Sequence, residues 1–567
     1  MRSTRTRPSV SLLVVALTAV LVTGGLAGPV LAASPATNAT AAPTPDSTAV
    51  QTPDSAPDPS LESTAARRTA ASQDSRPADP TTEDTIGYVE GYWYDDELPV
   101  DEQSDAVVDE DALDPVVYRA MARVERIRNM TFEEEVDVEV VSRAEYRETN
   151  DGRFVNVSSA NRLEQNVAYE ALFMVDRETE AVDATQTVYG GAVAGYYDPE
   201  TDEIVIVSEN PETPELDELT LGHELVHALQ DQRFDLSALG GRTQDRELAK
   251  NGLVEGDASR VEREYETRCG YEWSCLSSPE GNPDRSLDIN WGIYFTVYQP
   301  YSDGPHYVNY LRQQGEDWSA VNAAYDDPPT TTSAVIHPGT ERDPVNISVP
   351  DRSSEDWRQL RVDGVVANDT VGEAGMVAMF AAGALDGGSS VIGTNELLDD
   401  EGYNYNHSYT NGWSGDRLVI YTNDEAEAES DPAEAAGHAG YVWRTQWQSG
   451  TDTQQFVNGY LRLLESHGAE SVEGRQDTYV IDDGGYAGAY YLDRTNRILT
   501  IVRAPSVEEL PNVEAGAAPD GEDTLEIVEG SDSVPGFGLT AAVGAIAVVV
   551  LGAGTRLARG RIGSDRD

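Results

Sequence analysis

Through residues 85–503 the apolar positions follow helical periods in some stretches and strand periods in others. Over about residues 114–128, Val117, Ala120, Met121, Val124 and Ile127 share one helical face. The run Val136-Asp137-Val138-Glu139-Val140 alternates strictly, which predicts a strand with one buried face. A second helix is expected over about 158–173, followed by strand-like runs at 188–197 and 204–207. Asp198-Pro199-Glu200-Thr201-Asp202 between those runs is turn chemistry, so they should form a hairpin. In the next helix Thr213 can cap, Pro214 suits the first turn, and Leu216, Leu219, Val226 and Leu229 supply apolar character. A further helix is expected over about 245–267. Thr370 and Glu373 have the spacing of a capping box. The pattern closes on strands at 479–481, 489–492 and 498–502. This mixture is α+β.

The flanks differ in kind. Residues 1–33 combine Arg2, Arg5 and Arg7, an apolar stretch at 10–22 and a small-residue site at Val30-Leu31-Ala32, the pattern of a secretory signal peptide. Residues 34–84 are Ala, Pro, Ser, Thr and Asp with few large apolar side chains, which predicts a disordered tether. An acidic linker is expected over 504–534. Residues 537–554 are apolar throughout, about long enough to cross a bilayer, and Arg556, Arg559 and Arg561 after them should stay cytoplasmic. The protein is therefore expected to be exported and anchored at the cell surface by its C-terminus. Pro535-Gly536-Phe537 ahead of that helix resembles the PGF-type sorting signal of archaeal surface proteins. That resemblance implies an archaeosortase-type enzyme as a processing partner and a lipid in place of the helix.

Charge narrows the setting more than the activity. Asp and Glu number 101 against 39 basic residues, for a net charge of −62. Such a surface repels itself unless salt screens it, which fits the medium of a halophilic archaeon. It argues against nucleic-acid binding, which needs a basic footprint. Cys269 and Cys275, the only two cysteines, predict one local disulfide in an exported chain.

The chemistry lies in Gly222-His223-Glu224-Leu225-Val226-His227. Residues i and i+4 share a helical face, so His223 and His227 can reach one Zn2+ ion. Glu224 can then take a proton from a water activated by that ion, for attack on a carbonyl. A catalytic site needs a third ligand and leaves one position for water. Glu255, in Leu253-Val254-Glu255-Gly256-Asp257-Ala258 on the following helix, is the first candidate, and Glu247 is its rival.

HExxH followed by Glu-Gly-x-Ala resembles the gluzincin clan of zinc peptidases, in which that Glu is the third ligand. The longer run from His223 through Gln232, with Phe234-Asp235-Leu236, is similar to a group of HExxH metallopeptidases that includes haloarchaeal surface proteins. Ala194-Gly195-Tyr196-Tyr197-Asp198 and Gly412-Trp413-Ser414-Gly415-Asp416-Arg417 extend the likeness across most of residues 85–503. It implies a zincin-like core over 85–270, a mixed sheet with the active-site helix and the glutamate helix. A mixed C-terminal part over 271–503 would complete the same folded unit. The implied function is hydrolysis of a peptide or protein substrate; the alternative is a non-catalytic, zinc-stabilised envelope or binding protein.

The sequence departs from the thermolysin-like pattern at Ser259, where those enzymes place an Asp that orients a zinc histidine. Asp257 and Asp231 are possible substitutes. The 189–197 strand is placed to bind peptide along its edge, and Tyr196, Tyr197 or His337 is a candidate to stabilise a developing oxyanion. Asp416 and Arg417 are expected to form a structural pair.

Overall fold

The computed structural model describes residues 76–528, apart from 156, 192, 200, 278–288, 341, 343, 400 and 401. The signal-like segment, most of the tether, the PGF tripeptide and the apolar C-terminal segment lie outside the described residues. No helix among the described residues is long and apolar enough to cross a membrane.

The structure is mixed α+β with several sheets. Its first half begins with α1 (Glu110–Arg128), β1 (Asp137–Ser142), α2 (Ser159–Ala171) and α3 (Ala181–Gly191). Then come β2 (Gly195–Asp198), β3 (Glu203–Ser208), α4 (Glu218–Phe234), α5 (Gln244–Arg268), α6 (Trp291–Gln314) and the short α7 (Thr332–Ile336). The small sheet has the order β1-β3-β2, with β1 parallel and β2 antiparallel to the central strand. β2 is thus an edge strand. Val117, Val124, Ile204, Ile206, Leu225, Val226, Leu253 and Val261 form one core from α1, the sheet, α4 and α5.

The second half is built on β4 (Arg358–Gln359), β5 (Asn368–Asp369), α8 (Gly372–Ala381), β6 (Trp413–Thr422) and β7 (Gly440–Trp447). It continues with α9 (Gly450–Ser466), β8 (Glu470–Ser471), β9 (Thr478–Ile481), β10 (Gly488–Thr495), β11 (Ile498–Ala504) and α10 (Leu510–Val513). Its antiparallel sheet runs β8-β9-β10-β11-β7-β6-β4, with β5 also on β6. α2, α8 and α9 fill one face with apolar side chains.

Several expectations are corrected. Residues 188–191 are helix rather than strand, because Ala181, Ala184 and Val188 repeat at helical spacing into the core. α4 starts four residues later than Pro214 suggests. The 214–216 segment is extended, with Val108 N–H donating to the Pro214 carbonyl and Leu216 N–H to that of Ala106. Asp217 caps α4 instead, accepting from Leu219 and Thr220. The Thr370–Glu373 capping box does not form: Asp416, from β6, accepts from Val371 N–H and Gly372 N–H at 2.9 and 3.0 Å. Asp416 does not pair with Arg417, which bonds Asn368.

The stretch read as linker from residue 504 is packed as far as Val528. Leu510, Val513, Ala517 and Ala518 are buried on the outer face of the large sheet. Thr524 and Leu525 N–H donate to Asp477 at 2.6 and 2.9 Å. At the other end the order begins before residue 85, where Arg76 lies 4.5 Å over the Trp93 ring. Cys269 and Cys275 form the expected disulfide, with Cα atoms 5.4 Å apart.

Candidate metal centre

α4 and α5 place three side chains at one point. His223 and His227 stand one turn apart on α4, and Glu255 reaches them from α5. Glu255 Oε2 lies 3.2 Å from His223 Nε2 and 3.3 Å from His227 Nε2. All three residues are buried, and their ligand atoms lie within 4.8 Å of one another, a group able to hold a metal ion.

The surrounding bonds fix the tautomers. Gln230 Nε2–H donates to the Val254 carbonyl at 3.0 Å, so its Oε1, 2.9 Å from His227 Nδ1, must accept. His227 Nδ1 therefore carries the hydrogen and Nε2 offers a lone pair inward. Glu262 does the same for His223, lying 2.9 Å from Nδ1 with its side chain 36% exposed. Two imidazole lone pairs and a carboxylate oxygen thus face one another, and His227 Nε2 has no hydrogen-bond partner. Three acceptors converge with no hydrogen between them unless a proton or a cation joins them.

Without an ion, the charge balance puts a proton in that joining role. Burial acts to lower both imidazoles, yet Glu255, with Glu262 at His223, holds them above their ordinary range. Burial acts to raise Glu255, but the two imidazoles keep it well below the usual carboxylate range. Glu224 is pushed up to about 7, chiefly by burial. Its Oε2 accepts from Tyr197 N–H of β2 at 3.0 Å, and its Oε1 is buried without a partner.

Other candidates stand elsewhere. Glu247 pairs with Lys250 at 2.8 Å and accepts from Gly241 N–H, away from the cluster. Asp257 is held by Arg128 at 3.0 Å and by the Tyr325 hydroxyl at 2.8 Å, so it does not orient a ligand. Asp231 accepts from the Tyr197 hydroxyl at 2.9 Å and Leu236 N–H at 2.8 Å at the end of α4. That bond also turns the Tyr197 hydroxyl away from the centre. His337 is committed to the buried Glu373 at 2.8 Å. Tyr196 packs on the opposite sheet face from Tyr197, in a cluster with Tyr146, Val205 and Val207 that Tyr189 and Tyr301 join.

Sequence reasoning missed Glu262, Gln230 and Tyr301. Glu262 lies seven positions after Glu255, two turns on along the same face, so the orienting carboxylate that Ser259 lacks was available one turn further on. Burial, and after it the charges of Glu255 and Glu224, push the hydroxyl of Tyr301, from α6, well up. Its spacing with Tyr294 and Tyr298 was the available signal of a shared face.

Residues 358–514 match a family model described as a domain of unknown function (DUF8575). No curated protein matches the chain. No solved structure matches it. The matched segment is the second half with its large sheet, and the group of His223, His227 and Glu255 lies outside it.

Proposed function

We propose that this chain is a zinc-dependent peptidase of gluzincin type, with His223, His227 and Glu255 as ligands and Glu224 as general base. The observation that carries the reading is the convergence of the ligand atoms of His223, His227 and Glu255 on one buried point, with His227 Nε2 and the neighbouring Glu224 Oε1 left without partners. Four-coordinate zinc with bonds near 2.0–2.1 Å separates its ligand atoms by about 3.3 Å. The separations of 3.2 and 3.3 Å suit that spacing. Two nitrogens and one carboxylate leave a fourth position for water or substrate. A mixed sheet with an edge strand beside the site, an HExxH helix and a following glutamate helix is also what a zincin-like core requires.

The ion, when bound, supplies a Lewis acid that acidifies water and polarises a carbonyl. The chain's own groups do the rest. Glu224 is held by Tyr197 N–H through one oxygen and keeps the other for the attacking water's proton. With its carboxyl pushed up to about 7 it is suited to accept that proton near neutral pH and return it to the leaving amine. Apart from Tyr197 N–H, which Glu224 takes, the outer edge of the buried β2 is where an extended peptide would pair once the site opens. Export and surface anchoring, with an archaeosortase-type enzyme acting at Pro535-Gly536-Phe537, belong to the same proposal and rest on the sequence.

A second reading, a non-catalytic zinc-stabilised surface protein, draws on one observation. His223, Glu224 and His227 are each only 1% exposed, so a substrate must open the site to reach it. The test is cleavage of a fluorogenic peptide library in molar salt by zinc-loaded wild type and Glu224→Gln. The peptidase reading expects cleavage by the wild type and a loss of ~10²–10⁴-fold in the variant, with zinc retained. One zinc without cleavage in the wild type favours the second reading. Undiminished turnover in Glu224→Gln removes Glu224 as the base.

A further inference from the structure

α5 and α6 also form an open depression of about 600 Å³, lined by Arg260, His306, Asn309, Tyr310, Arg312 and Gln313. His306, Asn309, Tyr310 and Gln313 fall at i, i+3, i+4 and i+7, so one face of α6 presents them together. Arg260 stands five positions past Glu255, more than a full turn, which carries it round to another side of α5.

The chemistry of the lining runs against the composition of the chain. Two guanidiniums, an imidazole, two carboxamides and a phenol can all donate hydrogen bonds. Among the described residues no carboxylate lines the depression, although Asp and Glu number 101 against 39 basic residues. A second depression, beside Trp318, does include Glu316 and Asp317.

The cations are held in place and are not fully matched. Glu264 Oε1 lies 3.0 Å from Arg260 Nη2 and 2.6 Å from Arg312 Nη1, one carboxylate shared by two guanidiniums. Arg268 draws on its other oxygen at 3.4 Å. Arg312 also lies 4.2 Å over the Trp318 ring, and Gly339 backs Tyr310, where a Cβ would fall 2.7 Å from the ring. Side chains fixed in this way lose little freedom when a ligand arrives. Arg260 Nε is buried without an acceptor. Even beside Glu264, Arg260 stays below its ordinary range, through burial first and then through Arg312 and Arg263. An anion in the depression would relieve that excess of positive charge.

The net charge of −62 would repel such an anion in dilute buffer. In molar salt the screening length falls to about 3 Å, so a ligand meets the groups that line the depression and little of the rest. A single inorganic ion would leave most of the volume to water. A longer ligand with several acceptor groups fills it.

We propose that this depression binds a polycarboxylate, with Arg260 and Arg312 as charged contacts and the α6 face as further donors. The proposal stands apart from the metal reading and does not depend on it. The carboxylates can belong to an acidic peptide or to a free dicarboxylic acid, and the test separates the two.

The test is titration calorimetry of purified full-length protein in molar NaCl with hexaglutamate and, separately, with glutarate. Hexaglutamine is the uncharged control and is expected not to bind. Arg260→Gln removes one charged contact and should weaken binding ~10-fold or more, the scale of a hydrogen bond to a charged group. Gln313→Glu adds a carboxylate at an exposed position, so it should weaken binding without lowering the melting temperature.

Binding of hexaglutamate alone assigns the site to acidic peptides, and equal or tighter binding of glutarate assigns it to small diacids; both support the inference. Binding of neither, or equal binding of hexaglutamine, overturns it. Wild-type affinity in Arg260→Gln also overturns it. A loss in Arg260→Gln that comes with a lower melting temperature, and with no loss in Gln313→Glu, assigns the effect to packing and overturns it as well.

Discussion

Buried carboxylates occur in both halves of the molecule, and their surroundings differ. In the half with the large sheet, Asp416 accepts from Val371 N–H, Gly372 N–H, Trp413 Nε1–H and Trp443 Nε1–H at 2.9–3.1 Å. Glu373 is likewise completed by His337 and Arg342 at 2.8 and 3.1 Å. In the other half, Glu255 faces two imidazole nitrogens, and Glu224 Oε1 and His227 Nε2 have no partner. Leaving buried polar atoms unmatched costs several kcal/mol unless something arrives to match them. Asp416 and Glu373 are therefore finished structural anchors, whereas Glu255 and Glu224 belong to the group that we propose a cation completes.

The largest expected effect breaks the comparison at its open end. With zinc a thousandfold above its dissociation constant, binding contributes about 4 kcal/mol of stability. Chelation should remove that amount from the wild type, seen as a lower melting temperature in molar salt. Glu255→Ala should hold less than about a tenth of an equivalent of zinc and show no shift on chelation. The same chelator shift in the variant would mean that the stabilising ion sits elsewhere.

The next effect tests the finished end. Asp416→Ala orphans four buried donors at the start of α8 and in β6 and β7, and should cost about 3 kcal/mol in chemical denaturation. Zinc stoichiometry should stay at the wild-type value. If zinc is lost as well, the two halves are not independent and the contrast fails.

Much of the open end was legible and much of the finished end was not, because the two are built over different sequence distances. HExxH is local: one helical turn sets the geometry of His223 and His227, so the motif carries its own structure. Glu255 needed only the next helix. The Asp416 cap joins residues 45 positions apart, which no local spacing announces, and so Thr370 and Glu373 suggested a capping box that a distant carboxylate pre-empts. Composition misled at residues 504–528, where Leu510, Val513 and Leu525 dock despite acidic neighbours. A few well-placed apolar side chains outweigh the average character of a segment.

The smallest expected effect sharpens the boundary between the halves. Asp245, near the start of α5, accepts from Thr332 N–H and its hydroxyl at 2.8 and 2.6 Å. Burial pushes its carboxyl up to about 8, despite those bonds, and Asp416 and Asp369 nearby raise it further. Between its ordinary value of 3.8 and about 8, the folded protein thus binds a proton that the unfolded chain does not. By linkage this contribution is fully present below about pH 4 and is lost as the pH rises through about 8. Asp245→Asn keeps an accepting oxygen but does not titrate. In the chelated protein, where the titration of the metal-site residues is common to both forms and cancels, wild type should lose stability from pH 5 to pH 9 relative to the variant. The gap should change by at least about 1.4 kcal/mol, the equivalent of one pKa unit. Parallel stability curves across that range would mean that Asp245 is ionised in the folded protein. It would then be one more anchor completed by its donors, like Asp416, and the boundary between the halves would carry no unmet charge.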